Sequence, residues 1–312
     1  MSRCLITYEM FPGPGDYSPA GLRLLARGLG QLARLDFSAE EQRQEAIARA
    51  GKMSIQGVQP KLSAVLRVGL GRLEIVDRGG TYILKPQVPD YPELPQNEDL
   101  TMRLAATVGI DTPIHGLIYG RDGLLTYFVR RFDRVGHSSK VPVEDFAQLS
   151  GGSRETKYNS SMEKVVDVID RFCTFPAIER MRLFDRMLFN FLVGNEDMHL
   201  KNYALISRGG TVQLAPAFDF LNTTIAIRNA AEEIALPIRG RKSRLTRSDF
   251  FDYFARERLE LNDRVIEEIV GRFGVAMKEW PARIDHSFLS PEMKAAYRDV
   301  LEERRSRILP GD

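Results

Sequence analysis

Cysteine is scarce in this chain of 312 residues: Cys4 and Cys173 are the only two, far apart and in no spacing that ligates a metal. That argues against a structural zinc site and a disulfide framework, and it suits a reducing compartment. A surplus of one charge sign is missing too. Lys and Arg number 44 against 42 Asp and Glu, a net charge of +2, so bulk electrostatics give no reason to expect a nucleic-acid ligand. No apolar run reaches the roughly 18 residues of a membrane span. The N-terminus has no charged segment leading into an apolar one, so the protein is expected to be cytoplasmic. There is no internal repeat and no low-complexity segment. What remains is a globular chain with 43% hydrophobic residues, long enough for one large domain or two compact lobes.

The pattern changes along the chain. Ser18-Pro19 reads as a helix start, with the helix running to about Leu35, and Ser38 with Glu41 forms a capping box for a second helix ending near Gly51. From Leu62 the chain turns to short β-rich runs, Leu62–Val68, Leu73–Asp77 and Thr81–Lys85, which predict an antiparallel meander. A helix over Asn97–Val108 and strands His115–Tyr119 and Leu124–Phe132 complete an expected five-stranded sheet. Residues beyond about 140 are mostly helical, with apolar positions at helical spacing in Ala177–Leu192. The expectation is an α+β protein with a small β-rich lobe, residues 1–135, followed by a larger helical lobe, residues 136–312. A ligand would naturally sit in the cleft between two such lobes.

The segment Asn195-Glu196-Asp197-Met198-His199-Leu200-Lys201-Asn202 follows the core helix and precedes a predicted hairpin, Tyr203–Ile206 and Thr211–Ala215, which leads to Phe218-Asp219-Phe220. Phosphoryl transfer needs a carboxylate to orient the acceptor hydroxyl, and an amide and a second carboxylate to hold magnesium on the phosphates. Asp197, four intervening residues and Asn202, then Asp219 past the hairpin, match that order. Oxygen ligands suit magnesium, so Asn202 and Asp219 are the candidate metal residues. Taken singly, Asp197 and Asn202 are ordinary loop formers. His199 and Lys201 are weaker candidates for nucleotide contact.

Upstream, Ser54-Ile55-Gln56-Gly57-Val58-Gln59-Pro60-Lys61 enters the first strand of the sheet. Gly57 permits close approach of the backbone to phosphate oxygens, which makes Val58 and Gln59 candidates beside it, and Lys61 adds charge. The alternative is a plain connecting loop. Lys85 ends an apolar strand and Glu98 opens the next helix, the arrangement in which a kinase lysine binds phosphate. Its plainer reading is a lysine that has reached solvent. The basic run Arg239 to Arg247 has no interleaved aromatics and is read as a solvated loop.

The serine loop, Val129-Arg130-Arg131-Phe132-Asp133-Arg134, the Asp197 loop and Phe218-Asp219-Phe220 together resemble the HipA family of serine/threonine kinase toxins, over roughly residues 50 to 300. The resemblance implies a two-lobed, protein-kinase-like fold that uses ATP and Mg2+. Asp197 would be the catalytic base, Asn202 and Asp219 the metal ligands, and Lys85 a phosphate contact. Arg130 and Phe132 would lie near the adenine, His199 would face the nucleotide, and Ser54 would be autophosphorylated, lowering ATP affinity. The segment before the serine loop looks like the short HipT form. Its expected partners are a small HipS-like antitoxin and a HipB-like DNA-binding protein. Its expected target is an aminoacyl-tRNA synthetase, glutamyl or tryptophanyl. A small-molecule kinase of the aminoglycoside or choline type and a non-catalytic co-repressor scaffold are the competing functions.

Overall fold

A computed structural model describes residues 1–49, 59–136, 139–152, 156–227 and 232–309. Ser54, Gly57 and Val58 therefore lie outside the described residues. The chain forms two compact units, one of Met1–Asp99, Pro113–Lys140 and His286–Phe288, the other of Leu100–Thr112, Val141–Asp285 and Leu289–Asp312.

The first unit opens with a short strand pair, β1 (Ser2–Arg3) and β2 (Met10–Phe11), and α1 (Pro19–Leu25). Ser18 caps α1 by accepting from the Gly21 N–H at 3.0 Å, with proline at the first helical position as read from sequence. The helix stops ten residues before the expected Leu35, since Ala26 is extended and Gly28 takes a φ of +80°. Leu25, Leu29, Leu32 and Leu35 are all buried, so a helix-like apolar spacing here reflects an irregular chain packed on the core. In α2 (Ala39–Arg49) the capping box is present: the Ser38 N–H donates to Glu41 Oε2 at 2.7 Å and the Glu41 N–H to Ser38 Oγ at 3.2 Å.

β3 (Leu62–Arg67), β4 (Arg72–Ile75), β5 (Tyr82–Pro86), β6 (His115–Tyr119) and β7 (Leu125–Arg130) build a five-stranded antiparallel sheet in the order β4-β3-β5-β7-β6. This corrects the expected meander, because β5 pairs with β3 (Leu62 opposite Leu84) rather than with β4. The reason is burial. Leu62 and Ala64 are fully enclosed, whereas β4 is half-exposed and takes the edge, where Glu74 pairs with Arg67 at 2.9 Å. A small hairpin, β8 (Arg134–Val135) with β9 (Ser139–Lys140), follows β7 in the same unit. α3 (Leu94–Thr107) precedes β6 and supplies its first turns to this unit.

In the second unit β10 (Val143–Asp145), which periodicity did not reveal, joins β11 (Ala204–Arg208) and β12 (Thr211–Leu214) in an antiparallel three-stranded sheet. The helices are α4 (Phe146–Leu149), α5 (Met162–Phe172), α6 (Pro176–Leu192), α7 (Thr223–Ala226), a π-helical stretch Asp249–Arg258, α8 (Asp263–Met277), α9 (Trp280–Asp285) and α10 (Pro291–Ile308). α6 is buried on every side from Leu183 to Leu192. The basic run is exposed at Arg239, Arg241, Arg244 and Arg247, as a solvated loop should be, and several of its side chains also have partners: Arg241 pairs with buried Asp249, Lys242 with Glu232, Arg247 donates to the Ile308 carbonyl at 2.7 Å, and Arg239 lies over the Tyr253 ring. Among the described residues no helix is long and apolar enough to cross a membrane.

One core acid gives a pH prediction. Burial pushes the Asp185 carboxyl on α6 from its ordinary 3.8 up to about 6, against the pull of Arg272, whose Nη2 donates to it at 2.7 Å. The folded carboxyl keeps its proton to higher pH than the unfolded one, so this group's contribution to stability falls as pH rises from 3.8 to about 6. The loss is about 3 kcal/mol. Urea denaturation of Asp185→Asn beside the parent is expected to show the variant gaining about that much relative stability between pH 4 and pH 7. A flat difference would contradict it.

Candidate active site

Past α6, Gly194 turns the chain with φ +68°. A Cβ there would stand 2.6 Å from Thr224 Oγ1 and 2.8 Å from Val300, so only glycine fits. The loop beyond is fixed by its neighbours. Asn195 Nδ2 donates to Asn190 Oδ1 at 2.7 Å, and the Glu196 N–H donates to Thr223 Oγ1 at 2.7 Å. The Glu196 carboxylate accepts from Thr224 Oγ1 at 2.8 Å and from Arg304 Nη2 of α10 at 3.2 Å. Burial nonetheless raises its pKa.

The Asp197 carbonyl accepts the His199 N–H at 2.9 Å and Asn202 Nδ2 at 2.8 Å. Asn202 lies on a single 3-10 turn, Leu200–Asn202, and with its Nδ2 engaged, Oδ1 is the atom left to face a cation. Asp219, just past β12, adopts φ +58°, which costs a non-glycine residue roughly 1 kcal/mol and is commonest where function demands it. Phe220 anchors it by stacking on Phe189 at 5.7 Å. His199 feels the charge of both acids: burial lowers its pKa most, while the Asp197 and, more weakly, the Asp219 carboxylates act to raise it. Lys157 Nζ lies 2.7 Å from its Nε2. Sequence order thus proves to gather Asp197, His199, Asn202 and Asp219 in one unit.

In the first unit, Lys85 of β5 and Glu98 of α3 form an ion pair at 2.5 Å, their side chains 3% and 2% exposed. The reading of Lys85 as a solvent-reaching lysine is thereby excluded. Tyr127, opposite Lys85 in the sheet, sets its ring 5.6 Å from the ammonium. The next residue of α3, Asp99, holds His115 Nδ1 at 2.8 Å. The Arg130 guanidinium bonds the Tyr82 hydroxyl at 2.8 Å and the Leu25 carbonyl, and in the second unit Lys201 donates to Asp145 at 2.8 Å. Both side chains therefore have structural partners. Gln59, Lys61 and Phe132 are half-buried.

The residues present fit a nucleotide and a metal. Gln59 Nε2 in the first unit and His199 Nδ1 in the second are buried polar atoms with no partner among the described residues, which leaves each able to bond a ligand. Among the described residues no three His, Cys, Asp or Glu side chains cluster to hold a metal. A magnesium ion held by one amide and one carboxylate, and completed by phosphate and water, does not need such a cluster. Sequence reasoning missed Lys157, Tyr158 and Arg304, which approach the loop from segments 39 to 108 residues away.

An antiparallel sheet with a buried lysine–glutamate pair, and a helical unit holding an Asp, four residues, Asn loop and a hairpin-borne acid, define a kinase-like α+β fold. The chain belongs to the HipA family: residues 53–280 match the HipA-like C-terminal domain. Protein Y4mE of Sinorhizobium fredii is 31% identical over 217 residues, covering 66% of this chain and 51% of Y4mE. The serine/threonine-protein kinase toxin HipA of Shewanella oneidensis is 28% identical, covering 55% of this chain and 43% of HipA. The chain thus spans about half the length of these relatives. Among solved structures, the Shewanella oneidensis complex of HipA, HipB and operator DNA aligns with a TM-score of 0.65 at 20% identity, covering 89% of this chain and 73% of that one. The Helicobacter pylori proinflammatory kinase CtkA aligns with a TM-score of 0.53 at 18% identity, covering 73% and 87%.

Proposed function

We propose that this protein is an ATP- and magnesium-dependent serine/threonine protein kinase acting as the toxin of a toxin–antitoxin system. The observation that supports it most is the assembly of Asp197, His199, Asn202 and Asp219 around one loop and hairpin. Asp197 orients the acceptor hydroxyl and takes its proton. Asn202 Oδ1 and the Asp219 carboxylate hold magnesium, which supplies charge neutralisation on the phosphates. Lys85, oriented by Glu98, binds phosphate oxygen, and Gln59 and His199 offer buried polar atoms to the nucleotide. The Shewanella oneidensis relative's name, and its structure with HipB and operator DNA, support a HipB-like DNA-binding partner here. A HipS-like antitoxin, an aminoacyl-tRNA synthetase target and control by phosphate on Ser54 follow from the family resemblance.

Labelled ATP, magnesium and cell extract test the reading. The parent is expected to label a protein substrate, and Asp219→Asn to lower labelling about 100-fold or more, as loss of a metal ligand should. Labelling that survives a magnesium chelator, or is equal in the variant, would overturn it.

A further inference from the structure

Lys157 and Tyr158, just ahead of α5, grip the Asp197 loop at four points. The Leu200 N–H donates to the Lys157 carbonyl at 3.2 Å, and Lys157 Nζ meets His199 Nε2 at 2.7 Å. The Tyr158 ring stands edge-on to His199, with centroids 5.0 Å apart, and its hydroxyl donates to Asp197 Oδ1. Among the described residues that hydroxyl is the sole hydrogen-bond donor to the Asp197 carboxylate. Partial burial, and then Asp197 itself, hold the phenol pKa well above its ordinary value, so it remains a donor. The residue is nevertheless 40% exposed, with the Lys157 ammonium 4.8 Å from the centre of its ring.

An acceptor serine or threonine must present its hydroxyl to that same carboxylate. We propose that Tyr158 fills the acceptor-hydroxyl subsite of Asp197 in the resting protein, and that a substrate hydroxyl enters by displacing it. The proposal rests on the kinase reading above. Lys157 keeps the segment in place through His199 while the phenol gives way, so acceptor affinity is set partly by the strength of the Tyr158 bond.

Two measurements test it, the first without nucleotide. In a spectrum of the protein labelled with 13C-tyrosine, the Tyr158 ring-carbon resonance, identified by its loss in Tyr158→Phe, is expected to move in Asp197→Ala, which removes the acceptor. An unmoved resonance would refute the contact. The second is hydrolysis of ATP–magnesium in the absence of any protein acceptor. Tyr158→Phe keeps the ring but frees the carboxylate for water, and is expected to raise hydrolysis about fivefold, the effect of losing one competing hydrogen bond. A fall instead would make Tyr158 a positioning residue for Asp197 and overturn the proposal. If neither protein binds or hydrolyses ATP while the resonance still moves, the kinase reading is what has failed, and the acceptor subsite falls with it.

Discussion

Asparagine in place of Asp197 is expected to lower phosphoryl transfer by about a thousandfold while the protein keeps its fold. The substitution keeps the side chain's size and leaves an amide oxygen that can still accept from Tyr158. The contacts that shape the loop all survive: the Asp197 N–H on Asn195, and the Asp197 carbonyl receiving Asn202 and the His199 N–H. What disappears is a base able to take the acceptor proton. Single-turnover labelling with ATP and magnesium measures the loss, and thermal denaturation checks that the fold is intact. Equal turnover by parent and variant would remove Asp197 from the chemistry.

The second large effect falls on the first unit. Lys85→Met is expected to eliminate labelling and to destabilise the protein by about 3 kcal/mol. Glu98 is buried, so removing its ammonium leaves a carboxylate in a low-dielectric setting, with only its other contacts to offset the cost. The double variant Lys85→Met with Glu98→Leu tests the cause. Replacing both members of a buried pair by apolar groups is expected to restore most of the stability and none of the activity. Urea denaturation of the three proteins reads the stability, and labelling reads the activity. A stable single variant would mean that Glu98 does not depend on Lys85.

Local sequence signals proved legible where short-range chemistry decides structure. The Ser38–Glu41 box, the Ser18-Pro19 start, strand β6 and the buried run of α6 all lie where their patterns put them. The order of Asp197, Asn202 and Asp219 around the hairpin was legible for the same reason. Pairings between distant segments were not. The spacing of Leu25, Leu29, Leu32 and Leu35 suits a helix, yet tertiary burial alone explains it. Which strand β5 would join depended on relative burial of β3 and β4, a property of the finished sheet. The partners of Lys201 and Arg130, and the grip of Tyr158 on Asp197, come from residues 39 to 56 positions away that carry no spacing signal.

The bond from Arg304 to Glu196 spans 108 residues. A ribosome making this chain therefore completes the Asp197 loop long before it makes the side chain that secures it. At about 5 to 20 residues per second, that interval is several seconds or more. During it the loop has only its partners nearer in sequence, among them Asn190, Thr223 and the Lys157 carbonyl. Docking of α10 is therefore the last of these contacts to become available to the loop.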